Sequence, residues 1–190
     1  MVKISNVEVF GLVKSAYVSE YPMKVDTDEE EVYTKAFDRM SKLAKAKNGS
    51  GHDNALKGIV VQFDITYPQY FSMQLQRYNF IDIVSSQSKM HRLIKMDIGK
   101  SCNKYVTKEM VGIIDKYKVE YLENPTYENF MKLVSNLPMG FELTMGISTN
   151  YLQLKTIYNQ RKNHKLKEDW GEFCKMIEGL PHSEWITGKE

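Results

Sequence analysis

A cluster of side chains between Gln74 and Arg92 could do chemistry together: Arg77, Ser85, Ser86, Ser88, Lys89, His91 and Arg92, with Gln74 leading in. A phosphate is held by hydroxyl and backbone donors beside a fixed positive charge, and this stretch supplies both. The plainer reading is a solvated polar loop. Basic residues on both sides of the serines keep the phosphate reading level with it.

A second polar cluster lies far downstream: Asn150, Tyr151, Gln153, Arg161, Lys162, Asn163, His164 and Lys165. Asn and Gln amides can read the edge of a base, and an arginine can take a phosphate or a carbonyl. The same pattern also describes capping of one helix, with Asn150 or Thr149 at its start and basic residues at its end. Both readings stand on the sequence.

Other chemistries find no support. No His, Cys and carboxylate set has metal-ligand spacing, so no metal is expected. There is no nucleophile elbow, Walker loop or Rossmann glycine fingerprint. His52 sits alone in a Gly-rich connector and reads as a turn residue. Cys102 and Cys174 are far apart and predict neither a disulfide framework nor a zinc site. They fit a reduced, cytoplasmic setting.

These clusters need elements to position them. Val2 to Val13 predicts a strand, and Thr27 to Lys47 a helix opened by a Thr27–Glu30 capping box and closed by Asn48-Gly49. Ile59 to Thr66 alternates as a half-buried strand. Pro68 opens a helix that delivers Arg77 at its end. Phe80 to Val84 is short and apolar, and Ser85 to Ser88 reads as a serine-rich turn. Val106 to Lys118 is helical, and Asn124-Pro125 starts another helix. Phe141 to Met145 is a short strand and Thr149 to Lys162 a helix. A last helix spans about Lys167 to Glu178, with Trp170, Phe173, Cys174 and Ile177 buried, and Pro181 begins a tail. Few strands and many helices predict an α+β fold.

The chain has 190 residues, 42% hydrophobic and 26% charged, which fits one globular domain over residues 1–190. The formal charge of +2 argues against a duplex nucleic acid partner, which calls for a dominant basic face. Basic residues do cluster at Lys89–Lys100 and Arg161–Lys167, leaving local sites for a small anion. No signal peptide is expected, and no apolar run is long enough for a membrane span.

On these residues the chain resembles the flavin-dependent thymidylate synthase (ThyX) family. His52 matches a lead-in histidine, Phe63 a strand Phe, Pro68 a helix-opening Pro and Gln74 the Gln before the family motif. Arg77-Tyr78-Asn79 stands where arginine–histidine–arginine is usual. The following serine falls at Gln87, or at Ser88 with a one-residue shift, and Lys89 takes the basic position. Downstream, Asn150, Gln153-Leu154, Ile157 and Arg161 resemble the second motif, with Trp170 as its tryptophan. The wording of SSQSKMHRL and NYLQLKTIYNQRKNHKL also resembles uncharacterised ThyX-like proteins of Gram-positive bacteria and their phages.

The resemblance implies a small, mostly antiparallel sheet packed with helices. It implies a homotetramer with its sites between subunits, FAD as cofactor and a uridine nucleotide as ligand. Nucleotide contacts would fall to Gln74, Arg77, Ser86, Ser88, Lys89, His91, Arg92, Asn150 and Arg161. Flavin contacts would fall to Tyr78, Asn79 and His52. The chain departs from the family at Tyr78 and Asn79, at Ser85, where a Glu is usual, and at Leu152, where an Arg is usual. Because of these departures the expected function is nucleotide binding without full thymidylate synthase activity, such as a phage protein sequestering a nucleotide signal. The alternative is a flavin-dependent enzyme acting on dUMP or a related pyrimidine nucleotide.

Overall fold

A computed structural model describes residues 1–26, 33–47 and 49–189. In chain order the elements are β1 (Lys3–Phe10), α1 (Leu12–Val18), α2 (Tyr33–Ala44), β2 (Val60–Pro68), α3 (Gln69–Leu75), β3 (Asp82–Ser86) and α4 (Lys89–Arg92). Then come α5 (Lys108–Glu123), α6 (Tyr127–Ser135), β4 (Glu142–Asn150), α7 (Tyr151–Arg161), α8 (Lys167–Glu178) and α9 (Glu184–Thr187). The strands form one antiparallel sheet in the order β1-β2-β4-β3. The fold is α+β, as composition and periodicity predict.

Alternation in β2 makes the sheet two-faced. Val61, Phe63 and Ile65 point one way, beside Thr149, Ile147 and Met145 of β4. The helices cover that face. Phe63 meets Phe173 of α8 edge-on at 5.8 Å, and Phe71 of α3 packs on Trp170 at 4.5 Å. Leu154, Ile157 and Tyr158 of α7 are fully buried in the same layer. The other face is polar, with a Thr66–Thr144 hydroxyl pair at 2.8 Å and Asn6 donating to Asp64 at 2.7 Å.

Several boundaries depart from the sequence expectation. The first strand stops at Phe10, and α1 follows Gly11. Gly11 has φ 76°, and a Cβ there would lie 2.5 Å from the Gly58 carbonyl oxygen, so a side chain is excluded. The strand predicted to end near Met145 runs on to Asn150, because β2 pairs with it along its whole length. The next helix therefore begins at Tyr151 rather than Thr149. Ser85 and Ser86 lie in β3, paired with Gly146 and Met145, and not in a turn. α5 and α6 begin where Thr107 and Thr126 cap them, with Met110 N and Asn129 N donating to their hydroxyls. The tail after Pro181 folds into α9, whose Trp185 is buried and donates to Ser41 Oγ at 2.9 Å. The Thr27–Glu30 capping box and Asn48 fall outside the described residues.

Among the described residues no helix is long and apolar enough to cross a membrane. None of their His, Cys, Asp and Glu side chains group as a metal site.

Candidate functional site

Past the end of α3 the chain makes a tight turn, with Tyr78 N bonded to Leu75 O at 3.2 Å. The turn sends Tyr78 inward, to 8% exposure, and leaves Arg77 and Asn79 exposed. The junction of β4 and α7 fixes the turn's far side. Thr149 Oγ1 donates to Phe80 O at 2.7 Å, and Phe80 N donates to Gln153 Oε1 at 3.3 Å. The last turn of α7 then carries Arg161 over Tyr78.

The result is a braced arginine. Arg161 Nε donates to the Tyr78 hydroxyl at 2.7 Å, and Arg161 Nη1 reaches Gln74 Oε1 at 3.5 Å. Its guanidinium lies 4.6 Å from the centre of the Trp170 ring and 5.5 Å from that of Tyr78. Trp170 Nε1 donates to the same Gln74 oxygen at 3.0 Å, and the Tyr78 hydroxyl donates to Gln160 Oε1 at 3.0 Å. The other terminal N–H groups of Arg161 have no hydrogen bond among the described residues. They are what a ligand could take.

The serine–basic segment runs alongside. Lys89 Nζ donates to Gln69 Oε1 at 2.8 Å, while Gln69 Nε2 is buried without a partner among the described residues. Gln69 and Gln74 belong to the same helix, about 7.5 Å apart along its axis. α3 thus joins Lys89 to Arg161. Ser86 lies exposed on β3, and Ser88 stands before α4 without a side-chain capping bond. Gln87 extends the sheet: its N–H donates to Thr144 O, and its Oε1 accepts from Thr144 N, both at 2.9 Å. Of the two alignments with the family serine, Gln87 has a structural task, and the Ser88 hydroxyl has no hydrogen bond among the described residues. His91 and Arg92 are exposed on α4.

Gln74, Tyr78, Arg161 and Trp170 therefore come together, with Arg77 and Asn79 at the rim. Asn150 caps α7, its Oδ1 accepting from Gln153 N at 2.9 Å, as the capping reading has it. His52 lies exposed in the loop before β2, and no hydrogen bond or ring contact links it to the cluster. Sequence reasoning missed Gln160; it read Thr149 only as a possible helix cap and Gln153 as a reader of a base edge, whereas both brace Phe80. The signal of Gln160 was weak, since single polar residues on a helix are common.

Two nearby groups titrate abnormally. Burial, then the charges of Arg161 and Lys165, hold the His164 imidazole below its usual value. Its neutral Nδ1 accepts from Leu166 N at 3.2 Å. Burial, then the Asp169 carboxylate that its hydroxyl bonds at 2.9 Å, raises the Tyr70 phenol.

No family model matches the sequence, and no curated protein matches it either. Solved structures do. A flavin-dependent thymidylate synthase ThyX from Helicobacter pylori, complexed with FAD and dUMP, superimposes with a TM-score of 0.72 at 12% identity. The match covers 98% of this chain and 96% of that one. A second Helicobacter pylori ThyX structure, also with FAD and dUMP, gives a TM-score of 0.71 at 13% identity, over 98% and 95% of the two chains. This is a ThyX-like fold. The likeness lies in the small antiparallel sheet and the helices on its inner face.

Proposed function

We propose that this ThyX-like chain binds a pyrimidine nucleotide of the dUMP class and acts on it as a flavin-dependent enzyme. The observation that carries the proposal is Arg161, braced by Tyr78, Gln74 and Trp170 with terminal N–H groups to spare. A guanidinium held in this way recognises paired oxygen acceptors, such as those of a phosphate, with good geometry and little loss of rotamer freedom. Ser86, Ser88, Lys89, His91, Arg92 and Arg77 add donors and charge along the neighbouring edge. The Helicobacter pylori structures with FAD and dUMP support the same ligand pair.

The residues present fit the diphosphate of FAD in part. Arg77 and Asn79 are exposed and hold no hydrogen bond among the described residues, so both can donate to it. Tyr78 does not fit that role, because its hydroxyl is already bonded on both sides. FAD, when bound, would supply the redox chemistry; the chain's residues would bind and orient the nucleotide and screen it from water.

A second copy of the chain would complete the site. Met73, Phe80, Ile83, Val84 and Met90 are exposed along the chain from α3 to α4, and β3 is an open sheet edge. The proposed assembly is a homotetramer with sites between subunits.

The test is titration of the purified protein with FAD and dUMP, followed by a turnover assay with reductant and a folate one-carbon donor. Saturable binding of both and formation of dTMP are expected. Failure to bind dUMP in the presence of FAD would reject the proposal. A second reading is nucleotide binding without turnover, as a phage-encoded sink for a nucleotide signal. Tyr78 and Asn79 favour it, since they replace charged positions of the family motif. Tight dUMP binding with no flavin uptake would select it.

A further inference from the structure

Within the reading that Arg161 meets the nucleotide, we propose that Tyr78 is a positioning residue. Its phenol takes the Nε–H of Arg161 and turns the terminal Nη1–Nη2 edge of the guanidinium toward paired phosphate oxygens.

Three contacts define the guanidinium. The guanidinium carbon lies 4.6 Å over the Trp170 ring centre, which holds the cation against the ring face. That contact is not directional and leaves the guanidinium free to rotate. The Tyr78 oxygen at 2.7 Å from Nε selects one orientation, and Gln74 Oε1, a long 3.5 Å from Nη1, adds weakly to it. Gln160 makes the arrangement directional. The Tyr78 hydroxyl donates its own proton to Gln160 Oε1 at 3.0 Å, so its lone pairs are left to face Arg161. Tyr78 is 8% exposed and packs edge-on against Trp170 at 6.4 Å, which holds the phenol where it is needed. The side chain that replaces the family histidine thus acts through Arg161 and not on a ligand directly.

The arrangement gives a specific expectation for phosphate recognition. With Nε engaged by the protein, the guanidinium meets its ligand end-on through both terminal nitrogens. That geometry suits two oxygens of one phosphate.

A double-mutant cycle tests this, with dUMP as probe and inorganic pyrophosphate as a second oxyanion. Tyr78→Phe should weaken dUMP about tenfold, the scale of one charge-assisted hydrogen bond. Arg161→Gln should weaken it more. In the Arg161→Gln background, Tyr78→Phe should add less than a twofold loss. Tyr78→His, which keeps a ring acceptor, should recover part of the affinity and guards against a folding defect in the Phe variant. An affinity for Tyr78→Phe within twofold of the parent, or losses that multiply in the double variant, would overturn the inference while leaving the nucleotide reading intact. Binding of pyrophosphate but not of dUMP would reject the nucleotide reading, and the same cycle on pyrophosphate would still decide the role of Tyr78. Binding of neither would overturn both.

Discussion

Tyr78 turns inward while Arg77 and Asn79 turn out, and the consequences reach Arg161, Gln74 and Trp170. The charge of Arg161 is therefore both buttressed and available. Arg161→Ala should lower affinity for dUMP at least tenfold, read by calorimetry, while the helical signal in circular dichroism stays that of the parent. His164 makes a separate prediction. Its folded-state value lies below the ordinary one near 6.5, so the unfolded chain takes up a proton first as pH falls. Its contribution is present above about pH 6.5 and is lost as pH drops below it. Urea midpoints should fall more steeply between about pH 7 and pH 5.5 in the parent than in His164→Asn, which keeps an acceptor for Leu166 N. The candidate residues were legible as types: an arginine near a helix end and a serine–basic run. Their pairing was not, because periodicity along α7 does not reveal which side chain from α3 meets its last turn.

At the scale of elements, α7 is the spine. Its Lys155 is buried and donates to Asp53 Oδ2 at 2.8 Å, to Ala44 O at 2.7 Å and to Ala46 O at 2.8 Å. One ammonium thus ties the end of α2 and the loop before β2 to the helix that carries Arg161. Lys155→Met strands the Asp53 carboxylate in the interior and should cost about 3–5 kcal/mol, measured by urea unfolding. The two threonine caps, by contrast, open exposed helices, and Thr107→Ala or Thr126→Ala should cost about 1 kcal/mol each. The helix at Lys167–Glu178 was legible to the residue, since its apolar stripe is regular and its flanks are charged. Lys155 was not, since a lysine in an amphipathic pattern normally reads as solvent-facing. The extension of β4 was hidden for a related reason. Gly146, Ser148 and Thr149 lack large apolar side chains, and pairing with β2 rather than alternation keeps them in the sheet.

For the molecule as a whole, the α+β class could be read from composition and periodicity, and the ThyX-like fold was anticipated from motif wording. The strand order β1-β2-β4-β3 could not, because it depends on a long excursion through α5 and α6 before β4 inserts between β2 and β3. That insertion leaves β3 at an edge, with Phe80 exposed next to the turn that holds Tyr78 and Val84 exposed on the sheet's outer face. If a second copy covers this margin, Val84→Asp should reduce the mass seen by light scattering without lowering the helical signal in circular dichroism. The central claim concerns the cluster at the end of α7. Its most direct test is calorimetric titration of dUMP, with FAD present, into the parent protein and Arg161→Ala side by side. Saturable binding by the parent and at least a tenfold weaker affinity for the variant are expected. No binding to the parent, or equal affinity for the two proteins, would contradict the account.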